Sequence, residues 1–280
     1  MPDAHSYPRN DPRSYLFVPA SRPDRIGKAI AAGPDAVIVD LEDAVAPDDK
    51  DAARAALATA WADLRPQADA SGVALLVRVN GADTAWFEAD LTTCRQMGVS
   101  AVVLPKADPP ALRAMRALLP DTACLALLET AAGFDDLRAV ARAPGVERLL
   151  FGSIDLMADL DVADDGAPLD YFRSAIVAAS RAAGLPAPVD GVCTAIGDAE
   201  ALAGDTARGR RFGFGAKLLI HPNQVPGVHA ALAPSADALA WARRVVDQAA
   251  AANGAAIAVD GKMVDKPVLD RARRILAAAQ

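Results

Sequence analysis

Residues 36–64 read AVIVDLEDAVAPDDKDAARAALATAWADL, and this stretch decides the fold. An apolar run over residues 36–40 ends in charge, at Asp40, Glu42 and Asp43, and an Ala-rich stretch with helical spacing follows over residues 50–64. A short β-branched run that leads into a helix is one βα unit, whose strand is buried on both faces and therefore shows no polar alternation. The same unit recurs outward in both directions. Apolar runs at residues 15–18, 75–80, 101–105, 125–129, 149–152, 188–192 and 216–220 bring the strands to eight, and helical segments stand between them at 22–32, 83–97, 110–119, 171–183 and 196–207. Eight such strands predict an α/β fold, a (β/α)₈ TIM barrel, over an antiparallel sandwich; a doubly wound open sheet is the competing arrangement.

Beyond the eighth strand two further helical stretches, 236–252 and 266–279, flank the segment AIAVDGKMVD. One barrel needs one closing helix. The chain therefore divides into a catalytic barrel with a short N-terminal tail over residues 1–230 and a C-terminal helical extension over 231–280, which packs on the barrel or on a neighbouring subunit.

Composition narrows the function. With 52% apolar and 23% charged residues a large core is affordable, yet no run approaches the roughly 18 apolar residues of a membrane span. A net charge of −7, without clustered basic and aromatic residues, disfavours nucleic acid as a partner. Cys94, Cys124 and Cys193 lie in apolar segments and read as buried reduced thiols. The first residues lack a basic region followed by an apolar one, so a cytoplasmic location is expected.

In a parallel barrel the chemistry gathers where the strands end. Strand three carries Arg78 and Asn80, strand four ends in Lys106, strand five in Glu129 and strand six in Asp155. Glu129 and Asp155 belong to adjacent strands, so two hard oxygen ligands can converge on Mg²⁺, with water and substrate completing the shell; pairing of each acid with a loop cation is the other reading. Arg78 suits a substrate carboxylate, or a structural ion pair with Asp40 or Glu42. Lys106 faces the mouth, or pairs with Asp43 or Glu129, and His221 either hydrogen-bonds at the mouth, with Asn223 and Gln224, or braces the loop before Pro222.

Seven segments carry a resemblance: RSYLFVPASRPDRIGKA from Arg13, VIVDLEDAVAPDDK from Val37, LLVRVN from Leu75, VVLPKAD from Val102, LLET from Leu127, LLFGSIDLMADL from Leu149 and KLLIHPNQV from Lys217. In this order they resemble the citrate lyase β-subunit family, part of the HpcH/HpaI aldolase/citrate lyase superfamily. The resemblance implies a Mg²⁺-dependent barrel, with Mn²⁺ as a substitute, that stabilises an enolate and cleaves 3-hydroxyacyl thioesters of the citryl-, malyl- or citramalyl-CoA type. It implies Glu129 and Asp155 as metal ligands, Arg78 as the clamp on the substrate carboxylate, Glu42 and Asp43 as holders of metal-bound water, and Arg22, Arg25 and Lys28 near the coenzyme A phosphates. The stretch GKMVDKPVLDRA from Gly261 resembles the part of acyl-CoA lyases in which an acid, here Asp265, reaches a neighbouring chain's site as a proton carrier; as plain structure, Asp265 is a helix cap before Pro267. A homotrimer or a pair of trimers follows from the same resemblance. Two alternatives remain open: a non-catalytic subunit of a citrate lyase complex working with an acyl carrier protein, and an aldolase for free 2-oxo acids. One departure is Pro19-Ala20, where the family has Pro-Gly and where Ala would tolerate a positive φ poorly.

Overall fold

The computed structural model describes residues 11–251 and 257–277. The first half of the barrel runs β1 (Ser14–Pro19), α1 (Pro23–Ala31), β2 (Ala36–Asp40), α2 (Lys50–Ser71), β3 (Ala74–Arg78), α3 (Phe87–Met97), β4 (Ala101–Leu104) and α4 (Pro109–Leu118). The second half runs β5 (Ala123–Leu128), α5 (Ala131–Asp135), α6 (Leu137–Ala141), β6 (Val146–Phe151), α7 (Ser153–Leu160), α8 (Asp170–Ala183), β7 (Val189–Asp190), α9 (Ala199–Phe212), β8 (Ala216–Leu219) and α10 (Gln224–Leu232). Eight strands pair in parallel and in sequence order, and β1 closes on β8 with Tyr15 opposite Leu218. The open sheet is thereby excluded.

Strand alternation sorts the core. Tyr15, Ile38, Leu76, Val103, Leu125, Leu127, Leu150 and Leu218 pack together inside the barrel, while the intervening Val37, Val39 and Val77 are buried beneath the helices. This double burial is why the strands read as continuous apolar runs. Arg148 is fully buried, yet its Nη1 donates to Pro12 O at 2.8 Å and to Tyr15 Oη at 3.0 Å, so its charge is solvated by protein oxygens. On the helix-facing side of β8, buried Lys217 pairs with Asp190 at 3.2 Å and with Asp205 at 2.5 Å, which fastens β8 to the two-residue β7 and to α9.

The chain separates into two compact units, Met1–Ala231 and Leu232–Gln280. The second contains α11 (Ala236–Ala251), a hairpin of β9 (Ile257–Val259) and β10 (Lys262–Val264), and α12 (Lys266–Ala277). Ala242, Val245, Val259, Val264 and Ala272 form its own core. Asp260 and Gly261 connect the hairpin at φ 50° and 74°, the left-handed pair that a tight two-residue hairpin turn demands. Among the described residues, no helix is long and apolar enough to cross a membrane.

Candidate metal and substrate site

At the C-terminal rim of the barrel, Arg78 is held by several acids. Register places Arg78, the last residue of β3, opposite Asp40, the last of β2. Arg78 Nε and Nη2 donate to the two carboxylate oxygens of Asp40, both at 2.7 Å, and Nη1 lies 2.8 Å from Glu42 Oε2 and 3.2 Å from Asp43 Oδ2. The guanidinium also stacks 4.8 Å from the Phe17 ring. Burial opposes its charge, but Asp40, Glu42 and Asp43 outweigh that and hold Arg78 firmly protonated. Arg78 Nη1 approaches Glu42 Oε2 off the N–H direction, so this buried oxygen has a charge partner but no directed hydrogen bond. Burial raises the Glu42 pKa to about 7 against the pull of Arg78, with Asp43 and Asp40 adding to the rise.

Glu129 follows β5 directly and is buried. Lys106 donates its backbone N–H to Glu129 Oε1 at 2.8 Å from a left-handed conformation of φ 47°, a strained geometry for a residue with a side chain. Glycine at 152 is required here, because a Cβ would stand 2.5 Å from Glu129 Cβ and 2.7 Å from its Oε2. Asp155 lies in the first turn of α7, so it belongs to a helix and does not end strand six. Burial raises the Glu129 pKa to about 8, and the charges of Glu42 and Asp155 push it further. Asp155 is raised as well, by desolvation at the cavity wall and by Asp43, although it shares a hydrogen bond with Glu129. Three carboxyls that resist ionisation side by side suit a divalent cation, which would supply the missing positive charge. Among the described residues, no three or more His, Cys, Asp or Glu side chains converge as a ready ligand set. Glu129 and Asp155 would thus be the protein's share of a shell completed by water and substrate.

Arg78, Glu129, Asp155 and Asp43 border one cavity of about 400 Å³ with Phe17, Leu127 and Ser153. Among the described residues, Ser153 Oγ is buried without a partner and no side chain caps the N-terminus of α7 beside it. Arg22, Arg25 and Lys28 line a second cavity, of about 480 Å³, which shares Phe17, Pro19 and Ile220 with the first. Arg22 is partly neutralised there by an exposed ion pair with Asp24 at 2.8 Å. Lys106 forms no ion pair among the described residues; its side chain is exposed, and its contribution to Glu129 comes from the backbone. His221 Nδ1 accepts the backbone N–H of Asn223 at 3.2 Å, a loop-bracing contact. Ala20 is not among the positive-φ residues, so the Pro19-Ala20 departure introduces no strain. Asp265 lies in the second unit, exposed, and accepts the Val268 N–H at 3.2 Å as the cap of α12. The three cysteines are buried and unbridged, with burial pushing the Cys124 thiol up to about 12. Sequence reasoning passed over Ser153 and Lys50, which read there as a helix-opening residue; an uncapped helix start after FG was the available signal for the first.

A closed parallel barrel whose mouth brings several carboxyls beside the buried Arg78 can hold a divalent cation next to an anionic ligand. The sequence matches the model of the HpcH/HpaI aldolase/citrate lyase family over residues 13–222, and the chain belongs to that family. It is 38% identical to the citrate lyase subunit beta-like protein of Deinococcus radiodurans over 277 residues, covering 95% of this chain and 96% of that one. It is 36% identical to a (3S)-malyl-CoA thioesterase of Cereibacter sphaeroides over 274 residues, covering 96% and 94%. Its fold superposes, with a TM-score of 0.84 and 35% identity over 97% of this chain and 99% of the other, on the CitE protein of Mycobacterium tuberculosis in complex with magnesium, acetoacetate and coenzyme A.

Proposed function

We propose that this chain is a Mg²⁺-dependent carbon–carbon lyase acting on 3-hydroxyacyl coenzyme A thioesters of the citryl, malyl or citramalyl type, with Mn²⁺ able to substitute. The observation that carries the reading is the adjacency of Glu129 and Asp155, both reluctant to ionise, in the same cavity as Arg78. Their donor set fits a hard cation, which when bound supplies Lewis acidity toward the oxygens of the 2-oxo-acid fragment. The magnesium and coenzyme A in the CitE complex support the same choice of ligands.

The remaining work falls to the chain's own groups. The unpartnered Ser153 hydroxyl and the open N-terminus of α7 receive the carboxylate of the oxo-acid fragment. Arg78, already oriented by Asp40, offers its remaining N–H edge to the same fragment and balances the charge that develops as the bond breaks. Glu42, with a pKa of about 7, is poised to take the substrate hydroxyl proton. The O–H electron pair then becomes the new carbonyl, the carbon–carbon pair becomes the thioester enolate, and Asp265, supplied by a neighbouring chain of a homotrimer or hexamer, returns a proton to the enolate carbon. Arg25 and Lys28 stand where coenzyme A phosphates would approach, at the edge of the second cavity.

Calorimetry with coenzyme A thioesters and with the matching free acids tests the reading. Selective binding of the thioesters is expected. Binding of the free acids alone would favour an aldolase, and binding that needs an acyl carrier protein would favour a carrier-dependent subunit. A second reading, thioester hydrolysis, is favoured by the (3S)-malyl-CoA thioesterase relative; it would leave free coenzyme A and an uncleaved hydroxy acid.

A further inference from the structure

Lys50, the first residue of α2, is 5% exposed, and its Nζ donates to two successive backbone carbonyls, Leu41 O at 2.8 Å and Glu42 O at 2.7 Å. It lies 5.3 Å over the Trp86 ring, and among the described residues no carboxylate stands within ion-pair distance of it. Burial disfavours this ammonium, which bonds only to neutral oxygens, and Asp40, Glu42, Asp43 and Asp90 attract it from beyond ion-pair distance. The two carbonyls do not require it, because Leu41 O also accepts from Asn80 Nδ2 at 3.0 Å and Glu42 O from the Val45 N–H at 3.0 Å. Satisfying backbone acceptors therefore does not explain Lys50.

Its place in the fold does. The turn after β2 bears Asp40, Glu42 and Asp43, whose like charges tend to splay it apart. Its donors are fixed from the barrel side, since Glu42 N and Ala44 N donate to Asp40 at 2.9 and 3.1 Å. Its acceptors Leu41 O and Glu42 O are both gripped by Lys50, which links two carbonyls that Asn80 and the Val45 N–H hold only singly. Asp90 steadies this arrangement by accepting from Asn80 Nδ2 at 2.6 Å, and Arg54 Nε holds Asp90 at 2.7 Å.

We propose that Lys50 is a positioning residue whose buried charge aims the 41–45 turn at the barrel mouth, so that Glu42 and Asp43 face Arg78 and the metal position; the inference rests on the functional reading above. The test compares wild type with Lys50→Met and Lys50→Arg by hydrogen exchange of the 41–45 amides, Mg²⁺ calorimetry, turnover and thermal midpoint. Lys50→Met is expected to keep or raise the midpoint, because it removes a buried charge. It should expose the Glu42 and Ala44 amides to faster exchange and weaken Mg²⁺ binding and kcat about tenfold or more, with little change in KM for the thioester. Lys50→Arg should recover part of the Mg²⁺ affinity. Wild-type loop protection and Mg²⁺ affinity in Lys50→Met would overturn the proposal, as would losses that only track a falling midpoint, or no recovery in a Lys50→Arg protein as stable as wild type. If wild type itself binds no Mg²⁺, the functional reading fails, while the amide exchange still decides the role of Lys50.

Discussion

Glu129 can carry its charge only against its surroundings, since burial, Glu42 and Asp155 all favour the protonated form and hold the carboxyl at about 8. In the unfolded chain it titrates near its ordinary value of 4.5. Between those values the folded protein holds a proton that the unfolded chain has released, so the stability due to this group is full below about 4.5 and is lost as pH rises through about 8. Glu42, with a pKa of about 7, adds the same sign over a narrower window. Thermal midpoints of the metal-free protein should therefore fall as pH rises across this range, while Mg²⁺ affinity rises across it. Glu129→Gln should flatten the first curve, raise the metal-free midpoint at pH 9 and abolish measurable Mg²⁺ binding in calorimetry. A variant that still binds Mg²⁺ as wild type does would remove Glu129 from the metal site. Arg78 answers to three acids at once. Arg78→Met leaves Asp40 and Glu42 buried without a cation, a loss of roughly 3–5 kcal/mol by chemical denaturation. Arg78→Lys should lose less stability yet lower turnover severely, because an ammonium cannot reproduce the fork that spans Asp40 and still reach substrate. Full activity in a folded Arg78→Lys protein would confine Arg78 to structure.

At the scale of elements, the junctions after the strands place the chemistry. Lys106 turns back at φ 47° to send its N–H to Glu129, so Lys106→Gly should relieve about 1 kcal/mol of backbone strain, raise the thermal midpoint and leave Mg²⁺ affinity no weaker. A drop in Mg²⁺ affinity would instead give the Lys106 side chain a direct part in the site. The strands were legible because each is buried on both faces, which leaves an uninterrupted apolar signal from Ala36 to Val39 or from Leu125 to Leu128. The strand over 149–152 was legible, but the helix that opens at Ser153 was not, because Ser153-Ile154-Asp155 follows Gly152 too closely for helical periodicity to register before the first turn is complete. Asp155, expected to end strand six, instead lies in the first turn of α7. The β9–β10 hairpin has strands of three residues, too short for alternation to register, although Asp260-Gly261 carried the turn signal. Lys50 illustrates a different limit, since its partners are main-chain oxygens and nothing in residue identity points to them.

At the scale of the whole molecule, the second unit folds around its own core and presents Asp265 on its surface. Asp265 caps α12, so Asp265→Ala should cost about 1 kcal/mol in that unit whatever its other role. The assembly proposal asks more of it. If neighbouring chains share a site, mixing Asp265→Ala with Glu129→Ala protein should restore part of the activity after subunit exchange, once light scattering has established the oligomer. No recovery despite proven exchange would leave Asp265 as a cap. Under the proposed function, the acids gathered at the barrel mouth serve carbon–carbon bond cleavage. The most direct test is mass spectrometry of malyl-, citramalyl- and citryl-CoA incubated with the protein, with and without Mg²⁺, alongside Glu129→Gln. A shorter acyl-CoA, its thioester intact, is expected together with a 2-oxo acid, formed only with Mg²⁺ and not by the variant. Free coenzyme A with an uncleaved hydroxy acid, or the same products without metal, would contradict that function.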